Sequence, residues 1–236
     1  MNSQLLINRP HTTVILAMSA DGKISDEWRS PARFGSEQDK LHLEQQVAQM
    51  DGVLFGAGTL NAYQTTIRIT DPELLETRKQ QGKPPQPVQI VVSSSGEINP
   101  NFRFFQQPVP HWLLTTTRGQ ELWHKTAGFE KIIMADDNFN QINWSLAFEQ
   151  FQELGLKRLG ILGGGQLIST LLKQNLIDEF WLTICPLILA GKKSPTPADG
   201  DGFLSSVAPR LQLLEVKTVG QEVFLHYQVS YTILQE

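Results

Sequence analysis

Cysteine is nearly missing: Cys185 is the one thiol in 236 residues. A disulfide framework and a cysteine-built metal cluster are thereby excluded. Cys185 sits in an apolar run and reads as a small buried residue. Long hydrophobic runs are also missing. No uninterrupted apolar segment approaches the ~20 residues needed to span a bilayer. The opening residues, MNSQLLINRPHTT, show no basic stretch leading into an apolar one, so no signal peptide is expected. Neither sign of charge dominates. With 20 basic and 24 acidic residues the net charge is −4, and no basic stripe marks a nucleic-acid partner. The expectation is a cytoplasmic protein with a small-molecule ligand, no membrane partner and no nucleic acid.

With 40% of residues apolar the chain can build a sizeable core. Strand-like and helix-like segments alternate along it. Strands are expected over residues 12–18, 52–56, 88–92, 112–115, 131–134 and 158–162. Another spans 179–189, broken by Pro186. Helices are expected over 36–50, with Ser36 able to cap and Leu41, Val47 and Met50 apolar. Two more follow, over 73–81, where Pro72 suits the first turn, and over 144–154, capped by Asn143. Residues 211–219 and 222–231 read as a terminal hairpin. This is an α/β pattern: a mostly parallel sheet with antiparallel strands at one end. No internal repeat or low-complexity linker divides it, so one domain over 1–236 is expected, with its core at about 9–231.

Residues 161–178, ILGGGQLISTLLKQNLID, carry the strongest signal. An apolar strand runs into Gly163, Gly164 and Gly165, and a helical pattern follows. Glycines there let a ligand approach the backbone closely. The helix start offers unpaired amides and a positive dipole end, which favours a phosphate. The glycines alone leave a plain tight turn equally open. The stretch is neither GxGxxG nor a P-loop.

A second cluster, Gly56-Ala57-Gly58-Thr59, follows the 52–56 strand. In doubly wound sheets ligands sit beyond the carboxyl ends of the strands. Two glycine turns after parallel strands would therefore share an edge, which points to a nucleotide. Hydroxyls after other strands, in VVSSSG and LTTTR, fit the same edge. Arg118 in the latter suits a 2′-phosphate or simply a solvated loop. In AMSADGK, Ser19, Asp21 and Lys23 bring a hydroxyl, a carboxylate and an ammonium to that edge, although Asp-Gly is also an ordinary turn pair.

Three segments, RPHTTVILAMSADGKIS, GVLFGAGT and LGGGQLISTLLKQNLIDEFWLTICPLILAG, occur in this order and spacing. Together they resemble the C-terminal reductase domain of riboflavin-biosynthesis proteins, over residues 9–231. The resemblance implies a three-layer, dihydrofolate-reductase-like α/β fold. It implies an NADPH-dependent reductase acting on 5-amino-6-(5-phosphoribosylamino)uracil, or a form of it differing in deamination, with hydride delivered to ribose C1′. A homodimer is also implied, with the apolar late strands as its surface. No zinc deaminase signature, HxE with CxxC, accompanies it.

By motif position, the cofactor is expected at Ala17, Trp28, Gly56, Thr59, Ser93, Gly163, Gly164, Gly165, Gln166 and Leu167. Ser19, Asp21 and Arg68 are expected at the substrate, and no metal is expected. Four departures fall on the substrate side. Ile15, Val47 (or Gln46), Tyr63 and Leu162 stand where the family carries polar groups. They leave open a related reductase with another heterocyclic or carbonyl substrate, or a non-catalytic nucleotide-binding protein.

Overall fold

The structure is a computed structural model and describes residues 9–137 and 139–231. The leader expectation for residues 1–8, and both ends of the expected 1–236 domain, lie outside the described residues. Nine strands form one sheet in the order β5-β4-β3-β2-β6-β1-β7-β9-β8. They are β1 (His11–Ser19), β2 (Gly52–Gly56), β3 (Val88–Val92), β4 (His111–Thr115), β5 (Lys131–Met134), β6 (Arg158–Ile161), β7 (Glu179–Cys185), β8 (Arg210–Val219) and β9 (Glu222–Ser230). β1 to β7 run parallel. β9 joins β7 antiparallel, and β8 closes the hairpin. This is the mostly parallel sheet with a C-terminal antiparallel hairpin that the sequence pattern implies.

The helices are α1 (Glu37–Gln49), α2 (Ala57–Tyr63), α3 (Pro72–Gln80), α4 (Thr117–Trp123), α5 (Trp144–Glu153) and α6 (Gly165–Lys173). Alternate strand residues point to opposite faces. Val14, Leu54, Ile90 and Leu114 pack with α5 and α6. Their neighbours Ile15, Val53, Phe55, Val91 and Leu113 pack with α1 to α4 on the other face. Three layers result. The chain crosses from β1 out to β5 with helices on one face, then returns to β6 and β7 with α5 and α6 on the other, as right-handed crossovers require.

Caps fix the helix starts where the sequence places them. Ser36 accepts from the amides of Gln38 and Asp39, Asp71 from that of Glu73, and Asn143 from that of Leu146. The buried guanidinium of Arg78 donates to the carbonyls of Ala48 and Met50, which holds the end of α1. Two short helices, α2 and α4, are not among the elements expected from the sequence. Within α1 Val47 and Ala48 are buried and Leu43 packs partly against them, whereas Leu41 is exposed. Pro186 ends β7 at Cys185, which is fully buried as expected. No helix among the described residues is long and apolar enough to cross a membrane.

Candidate active site

Because β1 to β7 are parallel, their carboxyl ends share one edge, and a cleft of about 1090 Å³ opens there. Such crevices are where open α/β sheets bind ligands. Its walls include Ala17, Gly56, Thr59, Gly163, Gly164, Gly165, Gln166 and Leu167. Eight of the expected site residues thus converge on one cavity.

The two glycine segments lie side by side because β2 and β6 are neighbours. The Gly56 amide donates to the Gly163 carbonyl at 3.1 Å. Gly163 has φ +107°, a conformation that favours glycine. The Gly163–Gly164 peptide is cis. A Cβ on Gly164 would meet only the Thr59 hydroxyl, at 3.5 Å, so this surface is open. Gly165 differs. A Cβ there would stand 2.3 Å from the Thr196 carbonyl, so this glycine admits the 195–199 loop. Gly164 is the N-cap of α6, and no side chain caps it. Leu167, Ile168, Leu171 and Leu172 are buried against the sheet, each worth roughly 1.5–3 kcal/mol. The helix is thereby anchored, with its amino end facing the cleft and suited to a phosphate anion. These features fit the pyrophosphate of a dinucleotide. The Leu167 side chain belongs to the core, so at this turn the residue can offer a ligand only its main chain.

Glycines at 56 and 58 do not make a loop. Gly56 is the N-cap of α2, and Gly58 lies inside that helix. The first turn of α2 presents Thr59 to Gly163 and Gly164.

Five expected residues take other positions. Ser19 is fully buried, and its hydroxyl donates to Asp21 Oδ1 at 2.6 Å while accepting from the Lys23 amide. Asp21 accepts from the amides of Leu189 and Ala190. The Ser19 hydroxyl, then those amides, hold its carboxyl down at about 2. The pair bolts the β1 turn to the 187–190 loop, and its hydrogen bonds are consumed there. Ser93 is buried and accepts from the Gly96 amide, and Ser94 lines the cleft instead. Trp28 is 82% exposed and outside the cleft walls. Arg68 is exposed and also outside them, and Arg118 faces Glu97 at 3.9 Å.

The other half of the cleft was not legible in the motifs. Arg29, Arg33, Asp39, His42, Tyr63 and Thr183 line it. Burial, with help from Lys217 and His226, pushes His42 down to about 4, so its ring is neutral near pH 7. It packs edge-on against Trp181 and Phe224. Tyr63 donates its hydroxyl to the Ala32 carbonyl at 3.1 Å, and burial raises its pKa. Burial also raises the Asp39 carboxyl. Thr183 beside it works the other way, and the charge of Glu222 adds to the rise. Of the four departures, Ile15 and Leu162 line the cleft as apolar surface, whereas Val47 is core. Among the described residues, no group of three or more His, Cys, Asp or Glu side chains is placed to hold a metal ion.

Comparison with known proteins agrees with this geometry. Residues 10–225 match the model of the RibD C-terminal domain. The chain is 30% identical over 214 residues to the 2,5-diamino-6-ribosylamino-4(3H)-pyrimidinone 5′-phosphate reductase of Archaeoglobus fulgidus, covering 90% of this chain and 95% of that one. It is 26% identical over 224 residues to the protein of the same name from Methanothermobacter thermautotrophicus, covering 94% and 99%. A crystal structure of a pyrimidine reductase-like protein from Corynebacterium diphtheriae superposes with a TM-score of 0.77 at 21% identity, covering 95% of this chain and 93% of that one. The chain belongs to the RibD C-terminal domain family and is an oxidoreductase.

Proposed function

We propose that the cleft reduces 2,5-diamino-6-ribosylamino-4(3H)-pyrimidinone 5′-phosphate to its ribitylamino form, with NADPH as donor. The observation that carries this is the near full-length match to two reductases of that name. The uncapped amino end of α6 beside an open glycine surface supports a dinucleotide pyrophosphate at residues 163–167. The resemblance of the chain supports NADPH.

When bound, the reduced nicotinamide supplies the hydride that C1′ receives. The protein's task is placement. Ala17 on β1 and Thr59 on α2 flank the space for the nicotinamide. Ile15 and Leu162 give that space an apolar floor, which excludes water. Arg29 and Arg33 provide guanidinium groups for the 5′-phosphate, in place of Arg68. Ser94 lies at the end of β3, on the side suited to the adenosine.

Mixing the protein with NADPH and the diaminopyrimidinone, and following loss of the dihydronicotinamide absorbance, tests the reading. The deaminated uracil analogue serves as a parallel arm. Consumption with the diamino compound is expected. No consumption with either pyrimidine would sink the assignment and leave a related reductase of another substrate.

We also infer a homodimer built on β8. Among the described residues this ten-residue strand pairs only with β9, and Leu211, Leu213, Leu214 and Val216 stand exposed along it. The strands first expected to supply the surface, β7 and β9, lie inside the sheet.

A further inference from the structure

Reduction at C1′ needs a proton as well as a hydride. The ribose of the glycosylamine must open: the C1′–O4′ bond breaks, O4′ takes a proton, and the nitrogen lone pair forms C1′=N⁺. C1′ then accepts the hydride, and the π pair returns to nitrogen as the neutral amine. One hydride and one proton are consumed.

Few groups in the cleft can give that proton. His42 is neutral and wedged between aromatic rings. The Tyr63 hydroxyl is bound to the Ala32 carbonyl. Arg29 and Arg33 do not release protons, and the Lys40 ammonium, which also lines the cleft, is solvent-exposed and paired with Glu37. Asp39 differs in both position and surroundings.

Position comes from three elements. Asp39 is the third residue of α1, whose N-cap, Ser36, is held by the buried carboxylate of Glu222 on β9. The Ser36 amide donates to Glu222 Oε1 at 2.9 Å, and its hydroxyl donates to Oε2 at 2.6 Å. Beneath lie Ala17 and Thr183, register partners on β1 and β7. Thr183 and Ala17 line the cleft with Asp39. The Asp39 carboxyl packs on Gly35, where a Cβ would come within 2.1 Å of Oδ2. It therefore stands beside the residue we assign to the nicotinamide.

Burial, and after it the charge of Glu222, raise the Asp39 carboxyl against the lowering hydrogen bond of Thr183. Glu222 approaches from β9, Cys185 from β7 and Tyr63 from α2. The Cys185 thiol is pushed up to about 12 by burial and then by Asp39 itself. Arg29, Arg33 and Lys40 are the cations that line the cleft with it. Tyr63 also occupies the position where the family carries an Asp, so this cleft lacks a carboxyl on that side.

We propose that Asp39 is the general acid of the reduction and donates its proton to O4′ as the C1′–O4′ bond breaks. This rests on the pyrimidine-reductase reading above. Asp39 is then recharged from water through the open cleft.

Kinetics of the full chain with NADPH and the diaminopyrimidinone across pH test this. In wild type, kcat should fall as pH rises through the raised Asp39 pKa. Asp39→Asn should lower kcat by about 100-fold or more, keep KM and the NADPH dissociation constant within about threefold, and abolish that alkaline limb. Gly35→Ala, which displaces the carboxyl without removing it, should lower kcat while Asp39 still titrates. It decides the matter if Asp39→Asn does not fold. In the protein alone, carbon-13 NMR of labelled aspartate should show Asp39 titrating above the ordinary range, and lower in Glu222→Gln. An Asp39→Asn enzyme with wild-type kcat, a persisting alkaline limb, or an ordinary Asp39 titration overturns the proposal while leaving the reductase reading intact. Wild type inert toward the pyrimidine overturns both.

Discussion

Asp178 shows how one motif residue divides between fold and chemistry. The sequence places it in the glycine–helix motif. Its carboxylate takes a two-pronged bond from Arg9, at 2.7 and 2.8 Å, and the Thr12 amide at 2.7 Å. It sits at the amino end of β7, the sheet edge opposite the cleft. Burial by itself would raise its pKa, but the bonds from Arg9 and Thr12 outweigh this and hold it below the usual carboxylate value. A depressed folded-state pKa gives stability that is present above the unfolded value and lost as pH falls through the folded one. Asp178→Asn should therefore cost about 2 kcal/mol at neutral pH. Urea midpoints should show the variant and wild type converging in acid, with kcat unchanged. Equal midpoints at pH 7 would remove Asp178 from the stability account.

At the same scale, the phosphate partner separates two arginines. Arg68 follows from motif position, yet Arg33 lines the cleft and Arg68 does not. Arg33→Ala should raise KM for the phosphorylated substrate by about tenfold, as loss of a charge-assisted hydrogen bond of roughly 1.5–3 kcal/mol implies. It should change KM little for the dephosphorylated analogue, and Arg68→Ala should change neither. A KM rise confined to Arg68→Ala would restore the motif assignment. Arg33, Asp39 and His42 escaped the sequence reading for a physical reason. They lie on a polar helix and the loop before it, where charged residues read as solvated surface. What gives Asp39 its setting is Glu222, 183 residues further along, and nothing local to α1 announces that contact.

Among elements, the β6–α6 unit was legible because several signals agree on it. An apolar run, three glycines and a 3.6-residue apolar period each point to strand, turn and helix. α2 and α4 were not. Each has seven residues, and Gly58 and Gly119 inside them weaken the helical signal. Gly119 is there for packing: a Cβ would meet the Ser94 carbonyl and the Gly96 amide at 3.0 Å. The α6 terminus carries its own prediction. An aspartate at position 164 would face only the Thr59 side chain, so the fold should accommodate it. Its charge would lie near a bound pyrophosphate. Like charges ~4 Å apart repel by roughly 4 kcal/mol at an effective dielectric of 20. Even a third of that is about a tenfold loss. Gly164→Asp should thus weaken NADPH binding by at least about tenfold, read by quenching of tryptophan fluorescence. Unchanged affinity would move the pyrophosphate away from α6.

For the whole molecule, the sheet has two edges of different character. β5 is a four-residue strand at one end, and its exposed side chains include Met134. β8 at the other end has ten residues, nearly all exposed, and none of its side chains belongs to the buried core clusters. Such a long, apolar edge, with no partner on its outer side among the described residues, invites another strand. The sequence pattern yields the hairpin but not this, because β8 and β9 read alike as strands; only the pairing order reveals which is outermost. A second copy meeting β8 through a two-fold axis would pair the edge and bury the same residues on both chains. Sedimentation equilibrium should then give a dimer at micromolar concentration. Leu213→Glu and Val216→Glu place charge on an already exposed strand, so neither should unfold the monomer, and each should shift the population toward it. Wild type sedimenting as a monomer would rule out the dimer, and a dimer indifferent to both substitutions would move the interface off β8.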